Sequence, residues 1–150
     1  MDPLSIASAA AGLTVTAAGV INGLYKVRES LKGAPDTVNA IITECKTIKT
    51  ALAHLQWLVD SENPIALSSD RMPQLVQDSV VDALTSCDDT LCIIATELAK
   101  VFKGEDSQGA TMGIKARARY VWKESSLREL LNLAMRQHVA INTLVTLLQA

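Results

Sequence analysis

Apolar residues recur at alternating steps of three and four along almost the whole chain, the spacing of one helical face. In the first segment the series is Ile6, Ala10, Leu13, Ala17, Val20, Leu24, Val27 and Leu31. Asp2 suits an N-cap, Pro3 suits the first helical position, and Gly33 with Pro35 ends the helix. Pro35 and Asp36 open a second helix with the seam Val38, Ile41, Cys45, Ile48, Leu52, Leu55 and Val59. Residues 60–73 are polar and twice interrupted by proline, which predicts a loop.

A third helix is expected over roughly 73–103. It turns Met72 or Val76, then Val80, Ala83, Cys87, Leu91, Ile94, Leu98 and Val101 inward, with Asp78, Asp82 and Asp89 on another face. Residues 104–109, GEDSQG, form a turn. The last segment, about 111–148, carries the stripe Leu127, Leu130, Leu131, Ala134, His138, Ile141, Val145 and Leu148. Ser126 and Glu129 match a capping box, so a kink or a helix start is expected near Ser125 and Ser126. No segment alternates with the period of a strand. The expected fold is all-α, a single-domain up-and-down bundle of four or five helices over residues 1–150, led by a long hydrophobic Gly/Ala-rich helix.

Composition agrees with a bundle. Hydrophobic residues make up 49% of the chain, too many for disorder, while aromatics are only 3%, so aliphatic side chains fill the core. The net charge of −2 argues against a nucleic-acid partner. Its distribution is uneven: residues 36–106 balance at −7, residues 111–150 at +4 and residues 1–35 at +1. Ordinary solvation and complementary packing explain much of this, but a basic face for anionic lipid or an acidic partner is the sharper reading. Three cysteines, Cys45, Cys87 and Cys92, cannot all pair in one chain, and so sparse an odd count fits a reducing compartment.

No catalytic constellation emerges, and no cofactor is expected. His54 and His138 lack partners at metal-ligand spacing, the cysteines form no C-x-x-C pair, and no Gly-rich loop follows a strand. Trp57 and Trp122 are expected to pack within the bundle; Trp122, among Arg119, Tyr120 and Lys123, also suits a membrane interface.

The first segment raises a separate question. Residues 3–25 carry no charge, and at about 1.5 Å per residue they span roughly 34 Å, enough for a bilayer core. A signal peptide is disfavoured, because Asp2 precedes the run and the first basic residue is Lys26. Away from the core seam lie Ser5, Ser8, Gly12, Thr16, Gly19, Gly23 and Ser30. Each interior glycine costs about 1 kcal/mol of helix propensity against alanine. Small residues four apart, Ser8 with Gly12 and Gly19 with Gly23, allow close helix approach, either inside the bundle or between copies in a membrane. Lys26, Arg28 and Lys32 follow the run and would stay at an anionic surface if the N-terminus crossed.

The opening MDPLSIASAAAGLTVTAAGVINGLYKV resembles the HeLo-like N-terminal domains of fungal NLR-type (STAND) receptors. The likeness continues through Ile41, Ile42, Glu44, Cys45, Lys46, Ile48, Lys49, Ala51, Leu52, Ala53 and Leu55, and through WKESSLRELLNLAMRQHVAINTLVTLL near the end. It implies a non-enzymatic effector of programmed cell death, of the kind used in fungal innate immunity and heterokaryon incompatibility. Such a domain is cytoplasmic at rest, homo-oligomerises on activation, and permeabilises the plasma membrane through its first helix. A downstream nucleotide-binding domain in the same chain is expected.

On that resemblance the inserting residues would be Leu4, Ile6, Leu13, Val15, Val20, Ile21 and Leu24. Ser8, Gly12, Gly19 and Gly23 would provide the small-residue packing face. Lys26, Arg28, Lys32, Lys115, Arg117, Arg119 and Lys123 would contact anionic lipid head-groups or a partner. The alternative expectation is a helical adaptor or oligomerisation domain that never enters lipid.

Overall fold

The computed structural model describes residues 3–30, 36–60, 74–102 and 122–149. They form four α-helices and no strand: α1 (Pro3–Ser30), α2 (Asp36–Asp60), α3 (Gln74–Phe102) and α4 (Glu124–Gln149). The fold is an all-α bundle with a long apolar N-terminal helix.

The three-four seams meet in the core. Ile6, Ala10, Leu13 and Ala17 of α1 pack with Ile48, Leu52 and Leu55 of α2, Val80, Leu84 and Leu91 of α3, and Ile141, Leu144 and Leu148 of α4. At the other end Val20, Leu24 and Val27 meet Val38, Ile41 and Cys45, Ile94 and Leu98, and Leu127 and Leu130. The N-terminal halves of α1 and α3 thus share an end with the C-terminal halves of α2 and α4, and chain direction alternates from helix to helix. Fully burying one Leu or Ile contributes about 1.5–3 kcal/mol, so this aliphatic core can stabilise the bundle without many aromatics.

Spatial order differs from chain order. Among the described residues α1 touches α2 and α3, and α4 touches α2 and α3, while α1 and α4, like α2 and α3, lie across the bundle from each other. The ring therefore runs α1, α2, α4, α3, and the neighbouring pairs α1/α3 and α2/α4 are parallel.

Three expectations need correction. Trp57 does not pack inside: it is 63% exposed, its ring 6.1 Å from that of His54. It follows Leu55 by two residues, about 200° round α2, which puts it on the outward face opposite the seam. A helix does start where Ser125 and Ser126 predicted one, to within two residues, but Ser126 is not its cap. α4 begins at Glu124, and the Leu127 amide already donates to the Lys123 carbonyl at 3.0 Å, placing Ser126 inside the first turn. In α3 the seam runs through Leu84 rather than the half-buried Ala83, in α4 it takes in Leu144, and the polar Thr90 and Gln137 are buried beside them. Gln137 is tolerated because its amide donates to Ser86 Oγ at 2.6 Å, linking α4 to α3.

Candidate functional site

The candidate site is the part of α1 that the bundle does not cover. Ile6, Leu13, Val20, Ile21 and Leu24 are buried in the core. Val15, between two seam positions, is 73% exposed. Ser8, Gly12 and Gly19 are exposed, whereas Gly23 is half-buried. The side chain of Leu4 lies outside the described residues, as do Lys32, Lys115, Arg117 and Arg119.

The glycines are not equivalent. A Cβ at Gly12 or Gly19 would meet nothing within 4 Å. One at Gly23 would stand 2.9 Å from Leu98 Cδ1, so Gly23 lets α1 approach α3 closely. The small-residue face that looks continuous in sequence is therefore divided: its C-terminal end serves the bundle and its N-terminal end faces open space.

Toward α3, the open end borders a groove of about 420 Å³. Gly12, Leu13, Val81 and Leu84 line it, with Thr85 and Asp88 on its α3 side. Thr14 and Thr16 donate their hydroxyls to the Ala10 and Gly12 carbonyls at 2.8 and 3.1 Å. This back-bonding satisfies both hydroxyls within the helix, which an apolar environment demands. Thr43, Thr47 and Thr50 of α2 do the same, so the device is not particular to α1.

By length and composition Ser5–Glu29 is the one described segment able to cross a membrane, and 39% of its apolar stretch is buried. A core helix of a soluble bundle meets the same two criteria, so span length alone does not separate the readings.

The basic residues after the run are organised by an aromatic ring. The Arg28 guanidinium lies 4.5 Å from the Tyr25 ring centroid and Lys46 Nζ of α2 lies 4.9 Å from it. Each contact contributes about 0.5–1 kcal/mol at an exposed site. Arg28 also donates to Asn39 Oδ1 at 3.2 Å. The sequence reading singled out Lys26 and Arg28 but missed Tyr25 and Lys46; an aromatic within one turn of Arg28 was the available signal. Lys26 and Lys123 are exposed. Trp122 is buried, which removes it from the surface role its basic neighbours offered.

Polar links between α2 and α4 hold the far side together. Thr37 Oγ1 donates to Glu124 Oε1 at 2.9 Å. His138 Nδ1 meets Glu44 Oε2 at 2.5 Å, and His54 Nε2 lies 3.1 Å from Gln149 Nε2. Both histidines of the chain thus serve this seam. Among the described residues no three His, Cys, Asp or Glu side chains gather as metal ligands.

Burial pushes the Cys45 and Cys87 thiols up to about 12. The Cys92 thiol is exposed and also raised, by desolvation against its surroundings and then by Asp88 and Asp89. Comparison with protein-family models, curated proteins and solved structures finds no significant match to this chain.

Proposed function

We propose that the chain is a membrane-targeting effector domain of programmed cell death, of the HeLo-like kind, that self-associates and permeabilises membranes through α1. The observation that carries the reading is the two-sided character of α1. One side is a core seam, and the other presents Ser8, Gly12, Val15 and Gly19 without a charge anywhere over residues 5–25. A helix used only in a core has its outer face in water, where charged residues are favoured; this one keeps small and apolar residues there instead. Lys26 and Arg28 then mark a boundary suited to an anionic surface. In this reading the domain rests in the cytoplasm, moves to the plasma membrane on activation and works without a cofactor.

Dye-loaded vesicles containing phosphatidylserine test the proposal. Release is expected when the domain is clustered by a fused oligomeriser, and retention of dye under forced clustering overturns it.

A second reading is favoured by the contact of Gly23 with Leu98 and by the depth of Ile6, Leu24 and Val27 in the core. In that reading α1 never leaves the bundle, and the domain is a helical adaptor whose basic and small-residue surfaces bind other proteins.

A further inference from the structure

We propose that the groove between α1 and α3 seats a second copy of this chain, which enters it with the outward face of α4. The inference rests on the self-association in the reading above and is independent of its membrane step.

The groove has an apolar floor of Gly12, Leu13, Val81 and Leu84, left open because Gly12 has no side chain and nothing stands within 4 Å of its Cβ position. Its volume, about 420 Å³, admits a few side chains of an incoming helix. The α3 side is acidic. Asp88 stands at the groove and is exposed, Asp82 and Asp89 are exposed further round the same helix, and residues 74–99 contain no lysine or arginine.

The outward face of α4 is the complement. Met135 and Val139, one turn apart, are 46% and 63% exposed, and Leu147 lies two turns further on. With Leu147, they make three of the seven large apolar side chains that the described residues expose, all on one helix. Arg136 is exposed alongside them, and residues 130–149 contain no carboxylate side chain, while Arg128 is paired with Glu124 at 3.2 Å. Helix-in-groove recognition uses this kind of face: apolar anchors at i and i+4 with flanking charges opposite in sign to the groove's rim.

The two patches cannot meet within one molecule, because α4 lies across the bundle from α1. Met135, Val139 and Leu147 lie on the side of α4 away from its buried stripe, so the ridge points out of the bundle, whereas the groove lies between α1 and α3. A contact between unlike patches is heterologous: each docked copy still offers a free groove and a free ridge, so assembly continues past two.

Sedimentation velocity of the 150-residue chain without lipid provides the test. Wild type is expected to form concentration-dependent species larger than a dimer. Gly12→Leu fills the groove and Val139→Glu charges the ridge, both at positions open to solvent. Each alone is expected to weaken association at least about tenfold. An equimolar mixture is expected to form a pair that stops at two, because the first variant keeps its ridge and the second its groove. Val139→Ser replaces Val139→Glu if circular dichroism shows that the latter unfolds.

A wild-type chain that stays monomeric to about 1 mM overturns the proposal, that being the weakest association worth the name. Folded variants that associate like wild type, or a mixture that stays monomeric, also overturn it. So does a Gly12→Leu variant that loses binding to phosphatidylserine vesicles while associating normally, since lipid and not a second copy would then occupy the groove. Dye release plays no part in these outcomes, so failure of the membrane reading leaves them unchanged.

Discussion

Gly23 backs onto Leu98: a Cβ at the glycine would stand 2.9 Å from the leucine Cδ1, closer than side-chain atoms pack. Gly12 and Gly19, on the same helix, have no such neighbour. Replacing either of these two by alanine is expected to stabilise the fold by about 0.5–1 kcal/mol, because helix propensity improves and nothing clashes. Gly23→Ala is expected to gain less, since Leu98 is buried and its methyl must turn aside. Gly23→Leu should lose about 1–3 kcal/mol through overpacking. Urea denaturation of the four variants checks the order; equal gains at all three alanine positions would remove the special role of Gly23.

Val15 separates the membrane reading from the adaptor reading. It is 73% exposed, so Val15→Lys is expected to change stability in water by no more than about 0.5 kcal/mol. In a bilayer core the same charge costs at least about 3 kcal/mol. Vesicle leakage should therefore fall sharply while the melting temperature holds. Unchanged leakage with an unchanged melting temperature would falsify insertion of this part of α1.

The thiols are expected to differ in reactivity. Cys45 and Cys87 are buried and their thiols pushed up to about 12, whereas Cys92 is exposed. A thiol reagent at mildly alkaline pH should label one cysteine in the folded chain and three after denaturation. Labelling of Cys92 should keep accelerating above the ordinary thiol range, because its own thiol is raised. Mass spectrometry of the labelled peptides identifies the sites, and early modification of Cys45 would contradict the packing described.

Stability should also fall in strong alkali. The unfolded thiols titrate near 9.0 and the folded Cys45 and Cys87 near 12, so between these values the folded state holds protons that the unfolded state has lost. Their contribution is complete below pH 9.0 and disappears as the pH rises toward 12. A Cys45→Ala, Cys87→Ala variant is expected to be less stable at neutral pH but to show a flatter decline through that window. Thermal melts across the alkaline range measure it, and parallel declines for variant and wild type would refute the assignment.

His138 and Glu44 form the central polar link between α2 and α4, 2.5 Å apart and partly buried. Removing either partner leaves the other poorly satisfied, a loss of about 1–3 kcal/mol. A double-mutant cycle with His138→Ala and Glu44→Ala should show a coupling of about 1 kcal/mol, and additivity of the single losses would mean the contact contributes nothing.

Periodicity determined the helices and most core residues, and the up-and-down expectation followed from joining them by short connections. Ile6, Leu24, Ile41, Leu52, Leu91 and Ile141 could be named inward from their spacing, because a helix must bury one stripe whatever it packs against. The two ends of α2 and the C-terminal end of α3 were legible within a residue or two from their proline, polar and glycine signals. Tertiary structure decided what lies on either side of each stripe. Nothing in the spacing of Gly12, Gly19 and Gly23 says which of them meets a neighbour. That depends on α3, rather than α4, lying beside α1, and on Leu98 being level with Gly23. Tyr25 gathers Arg28 with Lys46 for the same reason: a flanking position takes its environment from the helix next to it, and the ring order α1, α2, α4, α3 is a long-range choice that no local pattern encodes, whereas the exposure of Trp57, opposite the α2 seam, follows from the helical period.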